Sequence, residues 1–147
     1  MEQITVKFTK LDERAQVPAY GTQYAAGADL RAVLDAPVTI LPGQTLLMHT
    51  GIAMEIPEGF VGLVYARSGL AAKRGLAPAN KVGVIDSDYR GEFIVALHNH
   101  GDSAQTILPG DRIAQLLIVP VLTPPYELCD DLSDTQRAAG GFGSTGQ

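Results

Sequence analysis

The sequence predicts an all-β barrel or sandwich with one short helix, and three observations carry that prediction. Its apolar segments are short and numerous. They are punctuated by Pro-Gly or Gly at fairly regular intervals, and a single stretch carries the start and stop signals of a helix. A chain of 147 residues can bury a real core, and it shows neither an internal repeat nor an inter-domain linker, so one barrel is expected.

Taken in order, Ile4 to Phe8 alternates apolar and polar side chains, the mark of a half-buried first strand. Ala25 to Ala32 leads small residues into a lone carboxylate, Asp29. Thr39-Ile40-Leu41 ends at the Pro42-Gly43 turn signal, and Gln44 to Ile56 reads as a long strand broken near Gly51. Pro57-Glu58-Gly59 turns the chain, and Phe60 to Tyr65 returns. The helix follows: Ser68 is the expected N-cap, Gly69 to Arg74 a run with basic residues in its last turn, and Gly75 the terminator. Gln105 to Leu108, the Pro109-Gly110 turn and the strand Asp111 to Val121 close the series. Pro124-Pro125 ends it, and Tyr126 to Leu132 is either one more short strand or an extended arm.

The stretch Val82 to Glu92 is the most informative. A β-branched run (Val82, Val84, Ile85) stops at two carboxylates, Asp86 and Asp88, followed by Tyr89, Arg90 and Gly91, and a second apolar run begins at Phe93. This predicts a hairpin that holds carboxylates and a phenol at the end of a stiff scaffold. By itself it also fits an ordinary turn whose Asp side chains bond the backbone. The tail from Arg137 differs in kind. Its glycine content prevents it from holding itself in a core, which suits a disordered end. A lone Phe142 beside an arginine, two hydroxyls and small residues also suits an arm that wraps phosphate and stacks on a base.

A net charge of −5 and a pI near 5.0 argue against general binding to nucleic acid or anionic membranes. The single cysteine, Cys129, cannot form an intrachain disulfide. No signal-peptide pattern stands at Met1 to Lys7, and no apolar run approaches the roughly 20 residues that span a bilayer. A soluble, cytoplasmic protein is expected. His49, His98 and His100 have no metal-ligand spacing and read as polar surface residues.

Read together, these segments resemble the trimeric deoxyuridine triphosphate nucleotidohydrolases (dUTPases) over nearly the whole chain. The resemblance rests on five motifs in order: Ala26 to Leu30, Ala66 to Ala71, Asn80 to Gly91, Gly110 to Leu116, and Arg137 to Gly146. Ala66 stands where the family usually has proline and Ala138 where it often has glycine. The resemblance implies a jelly-roll-like β-barrel (residues 1–132), a homotrimer with active sites at subunit boundaries, and a flexible glycine-rich arm (residues 133–147) that closes a neighbouring site.

It also implies roles. Asp86 would be the general base that activates the water attacking the α-phosphorus of dUTP, releasing dUMP and pyrophosphate; Asp88 is left structural. Tyr89 would pack on the deoxyribose and reject a 2′-hydroxyl. Asn80, with the backbone of Gly83, Val84, Ile85 and Ile94, would read uracil. Arg67, Ser68, Gly69 and Gln115 would bind phosphates. Arg137, Ser144 and Thr145, with Gly143 in the same arm, would hold the γ-phosphate, while Phe142 stacks on the base. Mg²⁺ is the implied cofactor, carried mainly by substrate phosphates and water, with Asp29 a motif anchor in its outer sphere at most. Nucleic acid and membranes are not expected as partners. Two other functions share the fold or its residues: dCTP deamination, which favours a glutamate that Asn80 to Ile85 lacks, and a nucleotide-gated regulatory trimer.

Overall fold

The computed structural model describes residues 3–146. Its elements are β1 (Lys7–Lys10), β2 (Ala19–Tyr20), β3 (Ala28–Arg31), β4 (Val38–Ile40), β5 (Thr45–His49), β6 (Ile52–Glu55), β7 (Phe60–Tyr65), α1 (Ser68–Arg74), β8 (Leu76–Pro78), β9 (Gly83–Ile85), β10 (Ile94–Asn99), β11 (Gln105–Ile107) and β12 (Arg112–Pro120). The strands form a jelly-roll barrel. One sheet runs β2-β3-β12-β7-β9 and another β5-β10-β8, with the pairs β1-β6 and β4-β11 beside them.

A single core closes these sheets on one another. Leu30, Ile113 and Leu116 from the larger sheet meet Met48, Leu76, Val95 and Leu97 from the smaller one, with Ile40, Ile52 and Ile107 from the flanking pairs. Burying each such side chain contributes about 1.5–3 kcal/mol. Among the described residues, two polar side chains enter this interior and both are satisfied. Asn99 donates to the carbonyls of Ile40 (2.9 Å) and Ser103 (2.8 Å) and accepts from the Gly101 N–H. Thr50 Oγ1 donates to the Phe93 carbonyl. Without those partners each would cost a desolvation penalty of about 1–3 kcal/mol.

Phe60–Tyr65 forms as the strand expected after the Pro57-Glu58-Gly59 turn, and the long strand breaks at Gly51, whose φ of 66° turns β5 into β6. The helix ends as its sequence directs: Gly75 takes a left-handed conformation, and its N–H reaches the carbonyls of Ala71 and Leu70. Its start differs from expectation. Arg67 is the extended N-cap residue with no side-chain cap bond, and Ser68 is the first helical residue. The first strand lies at Lys7–Lys10, later than the alternation of Ile4 to Phe8 suggests, because its register is set by β6 (Lys7 opposite Glu55, Lys10 opposite Ile52). After Pro120 the described chain holds no helix or strand, so Tyr126 to Leu132 does not form the further short strand.

The largest difference concerns the central stretch. β9 and β10 do not pair as a hairpin. β9 joins β7 (Gly62 opposite Ile85, Val64 opposite Gly83), whereas β10 joins β5 and β8 in the other sheet. Gly62 permits the first pairing: a Cβ there would stand 2.8 Å from Ile56 Cδ1 and 3.3 Å from Ile85 Cβ. The two strands therefore splay apart, and the segment Asp86 to Phe93 bridges them.

Candidate functional site

The space between the splayed strands is a cavity of ≈ 260 Å³. Asn80, Gly83, Val84, Ile85, Asp86, Tyr89 and Ile94 line it, all singled out from the sequence. Its volume falls just below the roughly 300–1,000 Å³ of clefts that take whole drug-sized ligands, which suits part of a nucleotide. Because β9 is laddered only to β7 among the described residues, its other backbone edge faces this space with donors and acceptors not used by the sheet. Such an edge can hydrogen-bond a planar base as it would a neighbouring strand. Gly83 brings the edge close to Asn80: a Cβ on Gly83 would lie 3.1 Å from Val64 Cβ and 3.6 Å from Asn80 Nδ2.

Asp86 stands at the rim where β9 ends. The turn beyond it is held by the Tyr89 N–H donating to the Asp86 carbonyl (3.1 Å) and by Arg90 donating to the Ser87 carbonyl (2.7 Å). The Tyr89 ring stacks at 6.5 Å on Phe93, and its phenol donates to the Glu92 carbonyl at 2.9 Å. It lies directly over Gly91, where a Cβ would come within 2.4 Å of the phenol oxygen, so any side chain there would displace the ring.

A second constellation gathers around Arg67. Its Nε donates to Asp29 Oδ1 at 2.9 Å, and Arg112 approaches the other Asp29 oxygen at 3.5 Å. Asp29 is thus engaged by two guanidinium groups and serves as an anchor for Arg67. Gln115, opposite both Asp29 and Tyr65 on its neighbouring strands, donates to the Ala66 carbonyl at 2.9 Å, which braces the Arg67-Ser68-Gly69 loop. Gly27 makes room for it: a Cβ at that position would meet Gln115 Oε1 at 2.5 Å. The two constellations do not merge within one chain. Continuing the β7–β9 register sets Asp86 level with Val61, whereas Arg67 lies beyond Tyr65, at the other end of β7.

The arm residues are apart from both. Arg137 donates to the Gly140 carbonyl at 2.8 Å, closing a turn of the arm on itself, and Phe142 is fully exposed. Arg137, Phe142, Gly143, Ser144 and Thr145 do not line the cavity. Among the described residues no group of three or more His, Cys, Asp or Glu could hold a metal ion. His98 and His100 pack edge to face at 4.4 Å, and desolvation, then the charges of Lys81 and His98, hold His100 below the usual imidazole range.

The sequence did not reveal several residues that matter here. Phe93 backs the Tyr89 ring, Glu92 receives its phenol, Pro78 and Leu30 form part of the cavity wall, and Arg112 shares Asp29. Leu30 and Arg112 lay inside the first and fourth motifs without an assigned role, and Glu92 and Phe93 adjoined the Asp86–Gly91 stretch.

A jelly-roll barrel with an open strand edge, an amide, a phenol and a carboxylate around a cavity of this size has the build of a nucleotide-handling β-barrel protein. Comparison with known proteins narrows the class. The dUTPase family model matches residues 13–146. The deoxyuridine 5′-triphosphate nucleotidohydrolase of Desulfitobacterium hafniense is 50% identical over 144 residues, covering 97% of this chain and 95% of that protein. Among solved structures, the dUTPase of Staphylococcus bacteriophage 80alpha with dUPNHPP superposes with a TM-score of 0.90 at 28% identity, covering 99% of this chain and 100% of that one. A mutant dUTPase from phage phi11 of S. aureus, described with a structural Mg(II) ion, superposes with a TM-score of 0.79 at 27% identity, over 87% of this chain and 98% of that one. The chain belongs to the dUTPase family.

Proposed function

We propose that this protein is a cytoplasmic, Mg²⁺-dependent dUTP diphosphatase that converts dUTP to dUMP and pyrophosphate, limiting uracil in DNA and supplying dUMP for thymidylate synthesis. The observation that carries the reading is the unpaired edge of β9 facing Asn80 across the cavity, with Asp86 at its rim and Tyr89 beside it. Uracil is a flat set of alternating donors and acceptors, which strand backbone and one amide can match. The phosphates then extend past Asp86 and out of a cavity too small to hold them.

Asp86 accepts a proton from a water aligned on the α-phosphorus. The new bond joins that water oxygen to phosphorus, and the bond from phosphorus to the bridging oxygen breaks, leaving pyrophosphate. Arg67, held by Asp29, and the braced Ser68-Gly69 backbone supply positive potential to the phosphates. Arg137, Ser144, Thr145 and the Gly143 backbone do the same from the arm, while Phe142 covers the base and excludes water. Among the described residues there is no metal cage, and Asp29 is occupied by guanidinium groups. Mg²⁺ therefore fits this chain as an ion carried on the substrate's phosphates, where it neutralises charge with water completing its shell.

A homotrimer follows from the same reading. The cavity and the Arg67 loop sit at opposite ends of β7, and the chain beyond Pro120 leaves Leu122, Tyr126, Leu128 and Phe142 uncovered, so copies of the chain complete each site for one another. Light scattering is expected to give three times the 15.5 kDa chain mass. The decisive assay is pyrophosphate release with Mg²⁺ from dUTP, dCTP, dTTP and UTP side by side. Release from dUTP alone is expected; equal release from all four would refute the roles of Asn80 and Tyr89.

A further inference from the structure

Tyr89 can act on the sugar only if its ring is held in one pose, and the residues that hold it lie outside the roles described above. The bridge from Asp86 to Phe93 makes no ladder with either strand, so its far end depends on a few specific ties. Glu92 is the residue where they converge. Its carbonyl accepts the Tyr89 phenol at 2.9 Å, and its carboxylate pairs with Nδ1 of His49, the last residue of β5. His49 stands opposite Ile94 in the β5–β10 ladder. Just beyond it, Thr50 Oγ1 donates to the Phe93 carbonyl, and the Phe93 N–H donates to the Ile52 carbonyl at 2.8 Å. The corner from His49 to Ile52 thus grips Glu92 and Phe93, the two residues that the phenol and ring of Tyr89 rest on.

The carboxylate of Glu92 is largely covered (20% exposed), whereas the His49 imidazole is 59% exposed. Glu92 borders both the Tyr89 cavity and a second hollow, lined by Arg14, Asp35 and His49, on the other side. It therefore forms a wall between the two, and His49 presses on that wall from outside the substrate cavity. Loss of the His49 contact would let the Glu92 peptide rock and carry the phenol acceptor with it. With Gly91 beneath the ring offering no side chain to arrest it, the ring would follow.

We propose that the His49–Glu92 pair is a positioning device that fixes the Tyr89 ring and through it sets discrimination between 2′-deoxyribose and ribose. The inference rests on the reading of the cavity as the deoxyuridine site. Its readout is the ratio of kcat/KM for dUTP to that for UTP, measured in wild type, His49→Ala, Glu92→Ala, Glu92→Gln and the double variant His49→Ala/Glu92→Ala, each with its thermal midpoint. The ratio is expected to fall about 3–10-fold in either alanine variant and no further in the double variant, because both remove one shared interaction. Glu92→Gln keeps a hydrogen-bonding partner for the imidazole and is expected to recover most of the ratio. A ratio unchanged in all variants would overturn the proposal. So would losses that multiply in the double variant, or an equal loss for both substrates that tracks a lowered thermal midpoint. If the wild-type enzyme releases no pyrophosphate from dUTP, the reading of the cavity itself fails, before any variant is compared.

Discussion

The cavity between β9 and β10 and the tail from Arg137 are opposites in construction. The cavity is framed by strands laddered into two sheets and backed by buried Leu30, Val64, Phe93 and Val95. The tail makes turns that close only on themselves, such as Arg137 to Gly140, and leaves its one aromatic in solvent. The part proposed to read the substrate is formed by the chain alone, while the part that would cover it gains contacts only with another surface. Rigid scaffold for recognition and a loose segment for closure is a division that keeps selectivity high while letting product leave.

The comparison can be broken most severely at the cavity. Asp86→Asn is expected to cut turnover by about 10²–10⁴-fold while leaving dUTP binding in place, since it removes the proton acceptor and keeps the shape. Pyrophosphate release set beside equilibrium dUTP binding checks this; full activity would remove Asp86 from its role. Deleting residues 133–147 is expected to lower turnover by about 10²-fold, the scale of losing one or more oxyanion donors. The barrel's thermal midpoint should stay within about 2 °C, because the arm packs on none of the core.

A third test compares the two regions in stability alone. Leu97→Ala, at a fully buried position of β10, is expected to destabilise by about 2–5 kcal/mol, whereas Phe142→Ala is expected to stay within about 0.5 kcal/mol. Urea unfolding of both variants measures it. The smallest effect belongs to a surface pair that lines neither the cavity nor the tail. Hydrogen bonds from the Arg14 side chain, then its backbone, hold the Asp12 carboxyl at about 2, down from 3.8. A depressed carboxylate contributes stability above its unfolded value that is lost as pH falls through the folded one. Asp12→Asn should therefore flatten the acid limb of stability between about pH 4 and pH 2 without altering turnover at neutral pH, as urea midpoints against pH would record.

Much of this molecule was legible before folding. The Pro57-Glu58-Gly59 turn placed β7 at Phe60–Tyr65, a glycine marked the break between β5 and β6, and Gly75 marked the helix end, because each signal lies in the few residues it governs. The cavity residues from Asn80 to Tyr89 were found by their motif and Ile94 through the family resemblance, and the structure brings them around one space. The hairpin reading of Val82 to Leu97 failed for a physical reason. Two apolar runs joined by a polar turn are the same local pattern whether the strands pair with each other or with different sheets. The choice fell to Gly62, 23 residues before Ile85 in sequence, which lets β9 lie against β7. The Ser68 cap failed similarly, since the braced loop from Ala66 to Arg67 starts the helix one residue earlier than the side chain suggests.

By itself the sequence determined the strand-rich class, the turns and the helix terminator and named the residues proposed to carry chemistry, since local patterning and residue type are written position by position. Only the tertiary structure decided which edges pair and which stay open, that Asp29 is held by Arg67 and Arg112, that Gly27 shelters Gln115, and that His49 meets Glu92 across 43 positions. Those contacts join residues far apart in the chain, and the packing of whole sheets around one core selects them.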